Sequence, residues 1–333
     1  MANRKSFGKL RTLRRRTLSK VEVPSIADKK DTLVFIVGPT AVGKTEVAMK
    51  LARRLDAEII SCDSMQVYKK MNIITQKPSG IEKRKVRHHL IGVVSPEKEY
   101  NVADYQKQAV LKIKDILRRG KVPLFVGGTG FYVSVLLDGI FQEDVKKRKI
   151  RARLYREAAE YGRKKLYRRL VKVDPQAAGK IHPHDLRRLV RALEVYENTG
   201  VPISELQQRR KGLSNDYRVK IFCLNRNRQE LYRRIEQRVE EMFKTGLLKE
   251  VKNLLALRLS KTAAQAIGIK EIKGYLDGCY DLEEAKRLIK RNSRRYAKRQ
   301  LSWFRRDKRI KWIKIKRAEK TSGVQQRLWK ELS

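Results

Sequence analysis

Cysteine is scarce in this chain of 333 residues. Its three cysteines, Cys62, Cys223 and Cys279, are odd in number and far apart, which excludes a disulfide framework and a zinc site built from cysteines. Long hydrophobic runs are also missing, since no apolar stretch reaches the roughly 18 residues that a membrane-spanning helix needs. We therefore expect a cytoplasmic protein that does not enter a membrane.

Acidic residues are heavily outnumbered: 36 Asp and Glu stand against 81 Lys and Arg, which gives a formal net charge of +45. Hydrophobic residues still make up 41% of the chain, enough for a packed core, and this excludes wholesale disorder. The charge predicts a polyanionic partner, because clustered Lys and Arg release counterions when they neutralise phosphates. An unusually basic proteome is the alternative explanation of the excess.

The chain divides into four regions. Residues 1–31 are predicted to be a flexible basic arm that touches RNA or nothing, with a transit peptide as the alternative. Residues 32–142 alternate β-rich apolar runs with helical periodicity, a pattern typical of a parallel sheet covered on both faces. Residues 143–212 are predicted to be helical only, an insertion that contacts the partner nucleic acid. Residues 213–333 are predicted to return to the core with one strand, followed by basic helices.

Five strands are predicted, at residues 32–37, 57–61, 90–94, 122–126 and 219–224. After the last of them the pattern predicts helices alone, and residues 286–320 contain 17 basic and two acidic residues. The predicted fold class is therefore α/β, a parallel sheet flanked by helices, with an all-helical insertion domain. Nothing in the sequence indicates an obligate oligomer, so we expect a monomer.

A phosphate-binding loop is the strongest motif. It lies after a predicted strand and before a helix, as the binding of a polyphosphate by backbone N–H groups requires. Lys44 adds a point charge, and the Thr45 hydroxyl is a candidate ligand for Mg²⁺. The motif makes the fold similar to that of the phosphate-loop NTPases, but it does not identify the polyphosphate. Its residues are Gly38, Pro39, Thr40, Ala41, Val42, Gly43, Lys44 and Thr45.

Two further polar residues follow predicted strands. Asp63 comes after the second strand and Thr129, within Gly-Gly-Thr-Gly, comes after the fourth. Because ligands bind beyond the carboxyl ends of parallel strands, both are expected beside the phosphate loop. From local sequence alone, Asp63 is either a catalytic carboxylate or a helix cap, and Thr129 either binds a leaving diphosphate or completes a glycine turn. The magnesium-binding acid that an ordinary phosphate-loop NTPase has at the end of such a strand is missing here.

In this order, the three motifs resemble those of the tRNA dimethylallyltransferases, also called tRNA isopentenyltransferases, in the bacterial form without a zinc finger. The resemblance extends from about residue 33 to residue 309. It also includes His88-His89-Leu90-Ile91, Tyr100-Asn101-Val102-Ala103-Asp104-Tyr105, Ile181-His182-Pro183, Arg191-Ala192-Leu193-Glu194-Val195-Tyr196, Ala266-Ile267-Gly268 and the segment from Tyr296 to Phe304.

The resemblance implies transfer of a dimethylallyl group from dimethylallyl diphosphate to N6 of adenosine 37, beside the tRNA anticodon. Asp63 would take a proton from N6, and Thr129 would hold the oxygen between the allyl carbon and the departing diphosphate. The phosphate loop, with Lys44 and with Mg²⁺ on Thr45, would bind the diphosphate. Arg238 would assist, because it matches the second arginine of the family's Arg-Ile-x-x-Arg pattern.

The same resemblance implies a surface that binds the tRNA anticodon stem-loop. The implied residues are Asp63, Ser64, Met65, Gln66, Arg151, Arg187, Arg188, Leu189, Val190, Arg191, Gln265, Ala266, Ile267, Gly268, Ile269 and Lys270. Independently of the resemblance, the helix near Arg187 is amphipathic, so its apolar side chains are expected inside and its arginines at phosphates or base edges.

This sequence departs from the family pattern at three places. Ile74 and Gln76 replace residues that are usually Gly and Ala, Ile269-Lys270 replaces a common Tyr-Arg, and the segment before Arg151 is rich in lysine. Three other functions are alternatives: a relative that prenylates free adenine nucleotides, a phosphate-loop kinase of small molecules, and an RNA-binding protein with an inactive core. The basic insertion argues against the first, the missing acid against the second, and the presence of Lys44, Asp63 and Thr129 against the third.

Overall fold

The computed structural model describes residues 32–141 and 148–332, so the basic arm predicted for residues 1–31 lies outside the described residues. Within these ranges, six parallel strands form one sheet in the order β3-β2-β4-β1-β5-β6. The strands are β1 Thr32–Val37, β2 Ala57–Cys62, β3 His88–His89, β4 Val122–Gly127, β5 Arg218–Asn225 and β6 Ile310–Lys314. The prediction of an α/β fold with a parallel sheet is confirmed.

Helices connect the strands and cover both faces of the sheet. Those of the core are α1 Lys44–Leu55, α2 Gly80–Lys85, α3 Val102–Arg118, α4 Gly130–Asp138, α10 Arg228–Lys244, α11 Leu247–Leu255, α12 Ile269–Leu276, α13 Leu282–Phe304 and α14 Thr321–Lys330. Between α4 and β5 lie α5 Arg148–Tyr161, α6 Arg163–Val173, α7 Pro175–Ala178, α8 Leu186–Thr199 and α9 Ile203–Gln208. None of the helices in the described ranges combines the length and the apolarity needed to cross a membrane.

Successive side chains along the central strands point to opposite faces of the sheet and so belong to two separate cores. Along β1, Phe35 faces the core that contains α3, α4 and α10 to α12, whereas Ile36 faces the core beneath α1 and α14. Helices α5, α6 and α8 have a third core of their own, with Leu154, Leu170 and Leu193 fully buried. Packing alone therefore distinguishes the helices between α4 and β5 from the rest of the protein.

Two of the secondary-structure predictions were wrong, one of a strand and one of a helical region. The strand predicted at residues 90–94 is instead the two-residue β3, because Leu90 and Gly92 have φ angles of 60° and 63° that turn the chain out of extended structure. The last part of the chain was predicted to be helical, yet it contains β6, which pairs with β5 at the sheet edge. The lysines of β6 are exposed along this edge, where charge protects a strand from pairing with other chains.

The strand order places the three sequence motifs side by side. Strand β4 lies between β2 and β1, and the carboxyl ends of these three strands lead to Thr129, to Asp63 and to the phosphate loop, respectively. All three loops therefore emerge at one edge of the sheet, as the parallel arrangement requires.

Candidate active site

The phosphate loop has a conformation that its glycines make possible. Gly38 has φ 144°, and a Cβ there would lie 2.6 Å from the Leu224 carbonyl oxygen. Gly43, with φ 104°, begins α1 in a left-handed conformation. The Lys44 ammonium donates to the carbonyl oxygens of Gly38 at 2.9 Å and Pro39 at 2.7 Å, so it closes the loop on itself.

Three arginines hold this loop from the far side of β5. Arg234 and Arg238 stand one turn apart on α10, and Arg226 precedes the helix. The contacts are Arg238 Nη1 to Thr40 Oγ1 at 2.9 Å, Arg234 Nε to the Ala41 oxygen at 2.9 Å and Arg226 Nε to the Val42 oxygen at 3.0 Å. Sequence reasoning found Arg238 but missed Arg226, because a lone arginine between a strand and a helix has no periodic signal.

The charges around the loop favour an anion. Burial lowers the pKa of Lys44 to about 8, although the Asp63 carboxylate opposes the shift. Burial likewise lowers the pKa of Arg238 to about 10, again against the attraction of Asp63. Two half-buried cations are thus attracted by one carboxylate. A phosphate group would relieve their desolvation, because it supplies the negative charge that these cations lack.

Asp63 begins a turn and caps no helix, since residues 64–67 are turns and α2 begins only at Gly80. Its Oδ1 accepts backbone N–H bonds from Met65 at 2.9 Å and Gln66 at 3.4 Å. Within the described part of the chain, no hydrogen bond reaches its Oδ2. The carboxylate is therefore fixed by one oxygen and has the other available for a substrate.

Thr129 is bonded to both neighbours of Asp63. Its Oγ1 accepts from the Ser64 backbone N–H at 3.0 Å and donates to Ser64 Oγ at 3.3 Å, while its own N–H donates to the Cys62 oxygen at 3.2 Å. The Tyr296 hydroxyl, whose pKa is raised by burial, lies within hydrogen-bonding reach of Thr129. Thr129 is consequently held beside Asp63, whose carboxylate attracts the Lys44 ammonium of the phosphate loop.

Gln66 organises the loop beyond Asp63. Its Oε1 accepts from Ser61 Oγ at 3.1 Å, and its Nε2 donates to the oxygens of Thr75 and Gln76, each at 3.2 Å. The Glu250 carboxylate accepts backbone N–H bonds from residues 72, 73 and 74. The loop that contains Ile74 and Gln76 is thus held by Glu250 at its beginning and by Gln66 at its end.

The segment from Gln265 to Lys270 lies against this loop. Gly268 has φ 115°, and a Cβ there would lie 3.2 Å from Ile74 Cδ1. Gln265 and Lys270 are exposed, whereas the side chains of Ala266 and Ile269 are buried. Both side chains pack into the core beneath α12, so the predicted contact of these two positions with tRNA, which stays a prediction, falls to their backbone.

The arginines predicted to bind RNA on α5 and α8 are at the surface of the insertion. Arg151 and Arg191 share the buried Glu194 carboxylate at 2.6 and 3.0 Å. Arg188 pairs with Asp185 at 3.3 Å. Arg187 is exposed and has no partner among the described residues.

Two residues between these arginines do not reach the surface. The side chains of Leu189 and Val190 are 0% and 1% exposed in the core of the insertion, which confirms the inward-facing apolar side expected from the amphipathic pattern of α8. That these two positions contact tRNA stays a prediction.

Comparison with known proteins places the chain among prenyl transferases. The model of the IPP transferase family matches residues 66–307, and that of the isopentenyl transferase family matches residues 31–97. The tRNA dimethylallyltransferase of Halothermothrix orenii is 47% identical over 87% of this chain and 90% of its own length. That of Natranaerobius thermophilus is 49% identical over 88% and 89%.

Solved structures agree with this likeness. The full-length tRNA isopentenylpyrophosphate transferase from Bacillus halodurans is 40% identical, with a TM-score of 0.66 over 91% of this chain and 97% of that one. A eukaryotic dimethylallyltransferase acting on tRNA is 31% identical, with a TM-score of 0.75 over 85% of this chain and 74% of that one.

Proposed function

This chain belongs to the IPP transferase family, and we propose that it transfers a dimethylallyl group from dimethylallyl diphosphate to N6 of adenosine 37 of a tRNA, releasing diphosphate. One observation carries the proposal: Thr129 is bonded to Ser64 beside Asp63, and the Asp63 carboxylate in turn attracts the Lys44 ammonium of the phosphate loop. Gly128 and Thr129 follow β4, where an ordinary phosphate-loop NTPase has its magnesium-binding acid, and this argues against a plain ATPase or kinase.

The diphosphate of the donor binds in the phosphate loop, where Lys44 and Arg238 neutralise it. Negative charge grows on this group as the bond from C1 to oxygen breaks. Donors already fixed in place stabilise that charge without reorganisation, so most of the rate enhancement comes from them. Thr129 holds the bridging oxygen and therefore fixes the direction of departure.

Mg²⁺ fits this site through Thr45. The Thr45 hydroxyl, at the start of α1, makes no hydrogen bond within the described residues, so it is available as a ligand. Those residues contain no cluster of His, Cys, Asp or Glu that could hold a metal alone, and the donor's phosphate oxygens would complete the coordination. A bound Mg²⁺ would supply further charge for the leaving diphosphate.

Asp63 acts on the acceptor. The N6 lone pair attacks C1 of the allyl group while a proton passes from N6 to the Oδ2 of Asp63, and diphosphate leaves with the electron pair of the broken bond. An adenine stacked in an anticodon loop cannot reach this point, so the base turns out of the stack at an expense of a few kcal/mol. Ser64 and Gln66 lie where the neighbouring bases would pass.

The tRNA lies across the insertion and the loops around Asp63. Arg187, Arg188, Arg191 and Arg151 contact its phosphates, and Gln265 and Lys270 extend this surface beside Ile74. The enzyme acts as a monomer in the cytoplasm. Prenylation of a free nucleotide is not favoured, because a single nucleotide does not need the basic surface of the insertion for its binding.

Incubation with radiolabelled dimethylallyl diphosphate tests the function. Unmodified tRNA should acquire the label at adenosine 37, whereas AMP should acquire none. A parallel reaction with γ-labelled ATP should leave tRNA and small hydroxyl compounds unlabelled. Label on AMP alone would assign the chain to nucleotide prenylation, and phosphate transfer from ATP would assign it to the kinases.

A further inference from the structure

One face of α13 reaches the loops that bear the reaction. Tyr296, Gln300 and Trp303, spaced by four and three residues, point to the same side of this helix. They meet the segment after β4 in order: Tyr296 at Thr129, Gln300 at Gly128 and Trp303 at Gly130. The helix thus lies directly against the Gly-Gly-Thr-Gly turn.

Gln300 connects that turn to the phosphate loop. Its side-chain Oε1 accepts the Thr40 backbone N–H at 2.9 Å, and its Nε2 donates to the Gly128 oxygen at 2.9 Å. Only 5% of the residue is exposed, so water does not compete for these bonds. A primary amide presents one donor and one acceptor at a fixed separation, and here each is used by a different loop.

The glycines of the turn allow this close approach. A Cβ on Gly128 would lie 2.1 Å from Gln300 Nε2, and a Cβ on Gly130 would lie 2.2 Å from Trp303 Cδ1. Neither contact is possible for a real side chain without displacement of the Gln300 amide or the Trp303 ring. Small residues are therefore needed after β4 for a second purpose besides turn formation: they let α13 pack closely against this turn.

We propose that Gln300 is a positioning residue that sets the distance between the phosphate loop and Thr129. The inference rests on the proposed function, since the two loops hold opposite ends of the bond that breaks: the diphosphate in one and its bridging oxygen in the other. A displacement of about 1 Å between them is enough to lower a rate 10²-fold. Gln300 touches neither donor nor acceptor, so its effect is exerted through Thr40 and Gly128.

The test compares Gln300→Leu, Gln300→Glu and a control, Ile289→Val, which loosens a buried contact of the same helix away from the loops. We expect Gln300→Leu to lower kcat for tRNA prenylation roughly 10- to 100-fold, with the Kd for inorganic diphosphate changed less than threefold. Gln300→Glu, which keeps the acceptor for Thr40 but sets a carboxylate oxygen against the Gly128 oxygen, should lower kcat at least as far as Gln300→Leu. Ile289→Val should keep the parent kcat.

Hydrogen exchange provides a readout that does not depend on turnover. Peptides covering residues 38–45 should exchange faster in Gln300→Leu than in Ile289→Val, even where the two variants have equal melting temperatures. Unchanged exchange there, or a kcat equal to that of the control, would overturn the positioning role. If the parent protein transferred no prenyl group to tRNA, the proposed function would fail instead, while the exchange data would still decide what Gln300 holds.

Discussion

Positive charge is used in two different ways in the core and in the helical insertion. In the core, Lys44 and Arg238 are half-buried, and both are bonded to the phosphate loop. In the insertion, Arg187 is exposed, and Arg151 and Arg191 are held at the surface by Glu194. The first arrangement suits one anion in one place. The second suits a long anion whose phosphates vary in position.

The physical difference between the regions is solvation. Buried cations with too few acids nearby are expensive in free energy until a ligand neutralises them, so their affinity is strong, local and little screened. Exposed arginines gain little individually and depend on ionic strength. The core should therefore determine the chemistry and donor binding, and the insertion should determine a salt-sensitive affinity for RNA.

Removal of the catalytic carboxylate should show the largest difference between the role of the core and the role of the insertion. In Asp63→Asn the side chain keeps its size but cannot take the N6 proton, and we expect kcat to fall by about 10³-fold. The Kd for tRNA should change less than about twofold, because binding is provided mainly by the insertion. Single-turnover rates and filter binding on the same preparation measure both. A tRNA affinity that fell in step with the rate would refute the separation.

The second-largest expected effect is the change of donor affinity with pH. Since the pKa of Lys44 is about 8 in the donor-free protein, affinity for dimethylallyl diphosphate should fall about tenfold per pH unit above pH 8. Comparison with Lys44→Gln, which binds more weakly and lacks this titration, removes the donor's own ionisation. An equal slope in both proteins would be inconsistent with a role for Lys44.

The lowered pKa of Lys44 also makes the unfolding free energy depend on pH, and the direction of that dependence follows from the direction of the shift. Lys44 titrates near 8 in the folded state and near its ordinary 10.5 when unfolded. Between these values the unfolded chain binds more protons, so the contribution of Lys44 to the unfolding free energy rises with pH in that window. Denaturant titrations of the donor-free parent and of Lys44→Gln should therefore differ most below pH 8.

The smallest effect belongs to the insertion. Arg187→Ala should weaken tRNA binding about threefold to tenfold at low salt and lower the salt slope by about one, as expected for one lost phosphate contact. Arg188→Ala should do less, since Arg188 is already paired with Asp185. Donor affinity should be unaffected in both. Lys330→Ala, at an exposed lysine at the end of α14, is the control, and an equal effect there would mean that only net charge matters.

Much of the core could be predicted because its signals are local. The run 32–37, the glycines at 38 and 43 and the polar residues after β2 and β4 each carry their own physical reason. Strand β6 could not be recognised, because five residues of Ile, Lys and Trp inside a basic stretch have no clear period. Its assignment as a strand depends on pairing with β5, which lies some 90 residues earlier in the chain.

Local sequence determined the chemistry that this protein can perform: a loop for phosphates, a carboxylate, a hydroxyl and a large excess of positive charge. Tertiary structure decided which residues serve that chemistry together. Arg226 and Gln300 reach the phosphate loop from 184 and 260 residues away. Side-chain hydrogen bonds of this kind depend on distance in space, and a glutamine or arginine looks the same in sequence whether it lies at the surface or joins two loops.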